Sequence, residues 1–127
     1  MILPQRCAII AGASACARRN GARRLTAMVA SQSASEKSTA GPTREIPAEW
    51  ARHNVQVNAI CPTVVLTPMG IKVWSPPEKS GPMLAATPLR RFGEAVEIAD
   101  MALYLASPAA ELVNGAIMMI EGGYSSV

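Results

Sequence analysis

At 127 residues the chain is long enough for one domain with a buried core, and too short for two. Half of its residues are hydrophobic and 17% are charged, which excludes a disordered composition, and no apolar run reaches the roughly 20 residues that span a bilayer. The net charge is +3, with five arginines before the first acidic residue, Glu36. Because no aromatic residue precedes Trp50, base stacking has no platform there. We favour a solvated arm over a transit peptide or a nucleic-acid site.

The first 31 residues carry only weak signals. Cys7 to Ser14 is typical of a short strand that enters a glycine turn at Gly12. A phosphate-binding turn needs further glycines, and Cys16 and Arg18 stand where they would fall. Their side chains argue against a phosphate loop. The three cysteines form no CxxC pair and no cluster with histidine, so we expect no metal site, no disulfide framework and a cytoplasmic location.

The segment before the clearest strand favours a helix only in its second half. Gly41, Pro42 and Pro47 interrupt residues 33–52, and a proline inside a helix costs about 3 kcal/mol. A helix is therefore expected after Pro47, followed by a turn at His53-Asn54. The β-branched residues from Val55 to Ile60 predict a short strand that Pro62 ends.

The remaining elements follow in alternation. Thr63–Thr67 is predicted to be a loop. Residues 68–88, here called the flap, contain five prolines and are predicted to be irregular, with a short helix near Met83. Apolar residues at helical spacing predict a helix over residues 94–106, and residues 116–120 predict a strand that Gly122-Gly123 breaks.

Several of these segments together resemble the C-terminal half of the short-chain dehydrogenase/reductase family. The resemblance rests on Val57–Pro62 with Thr67, on Leu105-Ala-Ser107, on Asn114-Gly115 and on Glu121-Gly-Gly123. Thr63–Gly70, Trp74-Ser75 and Thr87–Phe92 are similar to the dicarbonyl/L-xylulose reductase branch. The resemblance implies an α/β fold, an incomplete Rossmann-type doubly wound parallel sheet. It divides the chain into an atypical basic segment, residues 1–31, and the family domain, residues 32–127.

The family transfers a hydride between NAD(P) and a carbonyl carbon, with a tyrosine that protonates the oxygen and a lysine four residues later. Alignment without gaps from Glu49-Trp50 places Gln32 at the tyrosine position and Glu36 at the lysine position. Glutamine cannot deliver a proton as a phenol does, and a carboxylate would raise the pKa of a neighbouring acid. A shift by one residue brings Lys37 into place but puts Ser33 at the tyrosine position. We therefore assign no catalytic residue.

The resemblance also implies a binding site. Pro62, Val65 and Thr67 match positions that hold the nicotinamide of NADP or NAD, Val65 through its backbone and Thr67 through its hydroxyl. Met69 and Trp74 are expected to line a substrate pocket beneath the flap, together with Met83. Gly12 to Ser14 stays open between the family's glycine turn and the strand that carries its serine.

The function implied is that of an NAD(P)-dependent carbonyl or sugar reductase lineage, in a chain that we expect to be truncated and inactive by itself. The alternative is a non-catalytic interaction protein that pairs with a full-length relative. A small carbonyl or sugar substrate and a homo-oligomer are implied as partners. We expect no metal, no nucleic acid and no membrane partner.

Overall fold

A four-stranded sheet forms the centre of the fold. The computed structural model describes the backbone of residues 12–19 and 22–29, and residues 47–127 in full. The described strands lie in chain order, β1 (Gly12–Arg19), β2 (Ala22–Val29), β3 (Val55–Pro62) and β4 (Ile117–Ile120). β1 is antiparallel to β2, whereas β2, β3 and β4 are parallel to one another. The predicted α/β class is confirmed, and the two strands predicted at its C-terminal end, β3 and β4, are neighbours.

The N-terminal strands correct one prediction. Gly12 opens β1 and pairs with Val29, and Ala13 and Ser14 follow in the same ladder. Because β2 provides partners for the backbone of these residues, they continue a strand and do not form a glycine turn. Residues 7–11 lie outside the described part of the chain.

β3 is buried more deeply than β4. Residues 47–50 are helical and continue into a short 3₁₀ turn, Ala51–His53, which Asn54 ends in the left-handed conformation at φ 58°. This confirms the helix after Pro47 and the turn at Asn54, a residue type that tolerates positive φ. Val57 to Ile60 are buried, with Ala59 and Ile60 completely so.

The flap is more regular than predicted. It contains two helices, α1 (Pro68–Trp74) and α2 (Pro77–Ala86), rather than one short helix near Met83. The reason lies in the position of the prolines. Pro68 and Pro77 stand at the first helical residue, where the missing N–H has no partner to lose and the fixed φ favours a helix.

The predicted helix over 94–106 is confirmed as α3 (Ala95–Ala106), and it packs on the sheet. Glu94 and Glu97 form a reciprocal capping box at its start. Ile98 and Leu105 join Ile60 and Ala110 in the hydrophobic core, with Met101 and Ala102 at its edge. No helix in residues 47–127 has both the length and the apolar character required to cross a membrane.

Two side-chain amides, a buried one at Asn58 and an exposed one at Asn114, fix β3 against the segment that leads into β4. Asn58, 2% exposed, donates to the carbonyl of Val113 at 2.9 Å and accepts from the N–H of Ala116 at 3.0 Å. Asn114 accepts from the N–H of Val57 at 2.9 Å. These bonds satisfy backbone groups that the sheet ladder leaves open, and they set where β4 begins.

Candidate functional site

The loop Thr63–Thr67 leaves β3 at its carboxyl end and is held by Gly93. The N–H of Gly93 donates to the carbonyl of Val64 at 3.0 Å, and its carbonyl accepts from the N–H of Leu66 at 2.8 Å. Val65 and Gly93 thus form an isolated parallel bridge. Because both bonds go to the neighbours of Val65, the N–H and the carbonyl of Val65 itself point to the opposite side.

On that opposite side, Val65 presents a free hydrogen-bond donor. Its carbonyl accepts from the N–H of Thr67 at 2.8 Å. Its N–H has no hydrogen-bond partner within the described ranges of the chain. Val65 is half-buried, so its N–H is available to water or to a ligand that displaces that water. The loop therefore offers a fixed donor to a ligand.

Thr67 lies beside this donor and caps α1. Its hydroxyl oxygen accepts from the N–H of Gly70 at 3.0 Å, and its carbonyl accepts from the N–H of Ile71 at 2.8 Å. A hydroxyl has one donor and two acceptor sites, so the exposed Thr67 keeps its proton and one lone pair for another group. A Cβ at Gly70 would collide with the carbonyl oxygen of Val65. Only glycine lets α1 start this close to the loop.

These groups fit one end of a nicotinamide cofactor. A carboxamide has a carbonyl that accepts, which the Val65 N–H matches, and an amino group that donates, which the free lone pair of Thr67 matches. Pro62, the last residue of β3, fixes where the loop departs. The structure brings the three predicted positions into one continuous segment. The phosphate end has no such match in the described residues, since Gly12 lies in β1.

The two predicted substrate-pocket residues lie in different surroundings. Met69 is 76% exposed on the first turn of α1. Trp74, at the end of α1, packs its ring against Phe92, with ring centroids 5.8 Å apart and an interplanar angle of 55°. Its indole Nε1 is buried and has no hydrogen-bond partner in the part of the chain that the structure describes. Met83 is half-buried on α2.

Sequence reasoning missed the segment Arg91-Phe92-Gly93, which supports both the loop and the flap. Arg91 binds both carboxylate oxygens of Glu97, at 2.6 and 2.8 Å. Hydrogen bonds from Arg91 and from the N–H of Glu94 lower the pKa of Glu97 to about 2. The ion pair fixes the start of α3 directly after Gly93. The sequence signal for this ion pair is an arginine that stands six residues before a glutamate at the start of a predicted helix.

A cleft of about 470 Å³ opens on the side of this segment that faces the end of β4. Thr63, Gly93 and Met119 line it, with Arg91 and Glu97 among its polar groups. None of the five predicted binding residues contributes to it. The cleft is therefore distinct from the donor pair of Val65 and Thr67.

The catalytic positions predicted from the sequence, Gln32 and Glu36, lie outside the described residues. Both tyrosines of the chain lie within them. Tyr104 is 40% exposed on α3, and Tyr124 is 42% exposed in a 3₁₀ turn near the end of the chain. Pro108 stands four residues after Tyr104, so this tyrosine has no lysine at the family spacing.

Comparison with known proteins decides the family. A family model described as enoyl-(acyl carrier protein) reductase matches residues 1–125. The chain belongs to the short-chain dehydrogenase/reductase family. The predicted family is confirmed, and with it the general function class of an NAD(P)-dependent oxidoreductase family.

Curated relatives confirm the sugar-reductase branch. Galactitol 2-dehydrogenase (L-tagatose-forming) of Cereibacter sphaeroides is 49% identical over 83 residues, which are 65% of this chain and 33% of that protein. L-xylulose reductase of Bos taurus is 39% identical over 82 residues, 65% of this chain and 34% of that protein. The chain thus spans about a third of the length of these relatives.

Solved structures share the fold. A candidate 2-deoxy-D-gluconate 3-dehydrogenase from Agrobacterium tumefaciens, crystallised with bound NADP, superposes with a TM-score of 0.76 at 26% identity. The superposition covers 84% of this chain and 48% of that one. The α/β architecture of the described residues is therefore that of the family.

Proposed function

We propose that this chain carries the nicotinamide-binding loop of an NAD(P)-dependent sugar or carbonyl reductase site and does not complete the reaction by itself. The observation that supports this most directly is the unpaired N–H of Val65 beside the capping hydroxyl of Thr67. The relatives named for galactitol and L-xylulose favour a small polyhydroxylated substrate. We keep the cytoplasm as the proposed location.

In this proposal the residues of the loop orient the nicotinamide of the cofactor. NAD(P)H, when bound, supplies the hydride. The donor of Val65 and the hydroxyl of Thr67 would fix the carboxamide and hence the face that the nicotinamide ring turns to the substrate. Such positioning accounts for a large part of enzymatic rate enhancement, because reacting atoms are held in place before the reaction.

The missing step is proton delivery. A hydride that reaches a carbonyl carbon leaves an alkoxide, which needs a nearby acid. Gln32 stands at the position of the family's tyrosine and Glu36 at that of its lysine. An amide cannot serve as that acid near neutral pH, and the carboxylate adds a negative charge next to a developing one. We therefore expect no reduction of diacetyl or xylulose by the chain by itself.

Titration with NADPH and NADH tests the binding half of this proposal. The fluorescence of Trp74 and Trp50 reports binding, and Thr67→Ala should weaken it about tenfold, the loss of one hydrogen bond of about 1.4 kcal/mol. Ser80→Ala is the control, because the Ser80 hydroxyl donates to the carbonyl of Pro76, just before α2, and has no contact with the loop. Absence of binding at millimolar cofactor would overturn the binding role, and turnover of xylulose would overturn the assignment of inactivity.

A second candidate function is pairing with a full-length relative or with another copy. β4 has only one neighbour in the described sheet, and Met119 on it is 39% exposed. An open strand edge with apolar side chains favours association. Co-expression with a full-length L-xylulose reductase should give a mixed oligomer on size-exclusion chromatography if this role holds. Recovery of two separate species would contradict it.

A further inference from the structure

Phe92 lies between the flap and the loop and contacts the flap directly. Its ring contacts Trp74 at the end of α1. The next residue, Gly93, holds the loop through its N–H and its carbonyl, on either side of Val65. The dipeptide Phe92-Gly93 therefore contacts the flap through the Phe92 ring and holds the two neighbours of Val65 through the Gly93 backbone.

The Trp74–Phe92 contact is a large part of what holds the flap. In α1 only Gly70 is fully buried, and in α2 no residue is. The indole N–H of Trp74 is buried without a partner among the residues described, so ring packing holds this side chain without help from a hydrogen bond. Movement of α1 away from Phe92 would let that N–H bond to water, which lowers the cost of opening.

The other side of Phe92 is fixed firmly. The guanidinium of Arg91 donates to the carbonyl of Phe92 at 3.2 Å and binds Glu97 on α3. Displacement of the Phe92 backbone would therefore disturb both the start of α3 and the bridge to Val65. The Phe92 ring is therefore attached to a backbone that also forms the bridge around Val65.

We propose that Phe92 is a positioning residue that couples closure of the flap to the placement of the Val65 donor. This inference rests on the proposed cofactor role of the loop. A nicotinamide bound at Val65 and Thr67 steadies the bridge with Gly93 and keeps the Phe92 ring in place for Trp74. By reciprocity, a closed flap favours the bound cofactor by the same factor.

Limited trypsin digestion measures the state of the flap directly, because Lys72 lies in α1 and Lys79 in α2. Phe92→Leu removes the ring contact and retains bulk, so cleavage at these two lysines should be about fivefold faster without cofactor. Phe92→Tyr retains the ring and should restore the native rate. Cleavage at Arg52, before β3, is the internal reference, and Leu112→Ala, at a residue 98% exposed, is the matched control.

Addition of NADPH tests the coupling. Cofactor should slow cleavage at Lys72 and Lys79 in the native chain and in Phe92→Tyr, and should bind Phe92→Leu about fivefold more weakly with no protection of the flap. Trp74→Leu breaks the same contact from the other side and serves if Phe92→Leu does not fold, as circular dichroism would reveal. It should reproduce both effects.

The outcomes separate the two proposals. If NADPH binds in a Thr67-dependent manner but Phe92→Leu and Trp74→Leu change neither affinity nor protection, the coupling is overturned and the cofactor role stands. If NADPH does not bind at all, the cofactor role and the coupling fall together. Equal cleavage rates of native chain and Phe92→Leu without cofactor would overturn the Trp74–Phe92 contact as the hold on the flap.

Discussion

The loop Thr63–Thr67 and the flap follow one another in the chain and are held in opposite ways. The loop is fixed through its backbone, by Gly93 on one side and by the carbonyl of Ile120, which accepts from the N–H of Thr63. The flap is held largely by the contact of Trp74 with Phe92, and most of its side chains face solvent, with Met69 76% and Ile71 53% exposed. A ligand that the loop binds through its backbone leaves most of the loop's side chains free to vary. The side chains of the flap can also vary, because replacing exposed side chains costs little stability.

This difference is what the cofactor role that we propose for the loop, and the substrate role expected for the flap, would require. A cofactor is the same molecule in each turnover, so a rigid donor such as the Val65 N–H suits it, since little ordering is needed when it binds. Substrates differ between related enzymes, and a segment with few buried residues accommodates that variety. The four variants in the next two paragraphs test whether the loop is rigid and whether the flap tolerates substitutions.

The largest effect is expected for Ile60, beneath the loop. Ile60→Ala removes a completely buried side chain from the core and should lower the free energy of unfolding by about 2–5 kcal/mol. Ile71→Ala removes the same atoms from the flap, where the side chain is 53% exposed, and should change it by no more than about 0.5 kcal/mol. Urea denaturation followed by circular dichroism measures both. Equal losses of the free energy of unfolding would mean that the flap is packed as tightly as the core beneath the loop.

Two glycines give the next effect, which is expected to be large at one of them and small at the other. Gly70→Ala places a Cβ against the carbonyl oxygen of Val65 and should cost about 1–3 kcal/mol while it displaces the donor that we assign to the cofactor. Gly81→Ala, in α2, meets nothing within 4 Å outside its chain neighbours. The ring of Pro82 disfavours a helical residue with a Cβ before it, which offsets the higher helix propensity of alanine, so the change should stay within about 0.5 kcal/mol. Thermal unfolding of the two variants should therefore diverge. A neutral Gly70→Ala would show that α1 does not close on the loop.

The sequence predicted the loop better than the flap, for physical reasons. β3 has β-branched residues and a terminal proline, and both signals act locally, so its end at Pro62 and the loop after it could be predicted. In the flap, five prolines were read as helix breakers, yet Pro68 and Pro77 begin helices. The meaning of a proline depends on where a helix starts, and composition alone does not contain that information.

The supporting contacts could not be predicted for a different reason. The bridge between Val65 and Gly93 joins residues 28 positions apart, and the contact between Trp74 and Phe92 depends on how the flap folds back. Resemblance indicated Val65 and Thr67 as cofactor residues but gave no role to Gly93 or Phe92. The glycine turn at Gly12 was wrong because the partner strand β2 was not visible as a strand in the sequence.

The smallest expected effect is a change in the stability of the fold at acidic pH. Glu97 has a pKa of about 2 in the folded chain against an ordinary value of 4.5, because Arg91 and the N–H of Glu94 donate to its carboxylate. A lowered pKa stabilises the fold fully above pH 4.5, and this contribution is lost as the pH falls from about 4.5 toward 2. Glu97→Gln should flatten that part of the stability profile, measured by urea unfolding at pH 3, 4, 5 and 7. Glu78→Gln, in the flap, removes a carboxyl from α2 without touching the Arg91–Glu97 pair and is the matched control. Because the Arg91–Glu97 pair is exposed to solvent, salt should weaken the effect.

The acid-sensitive change should appear first at the bridge to Val65, as faster hydrogen exchange of the Leu66 and Gly93 amides than of the amides in β3. Exchange that is equally fast at all of these positions would separate the ion pair from the support of the loop.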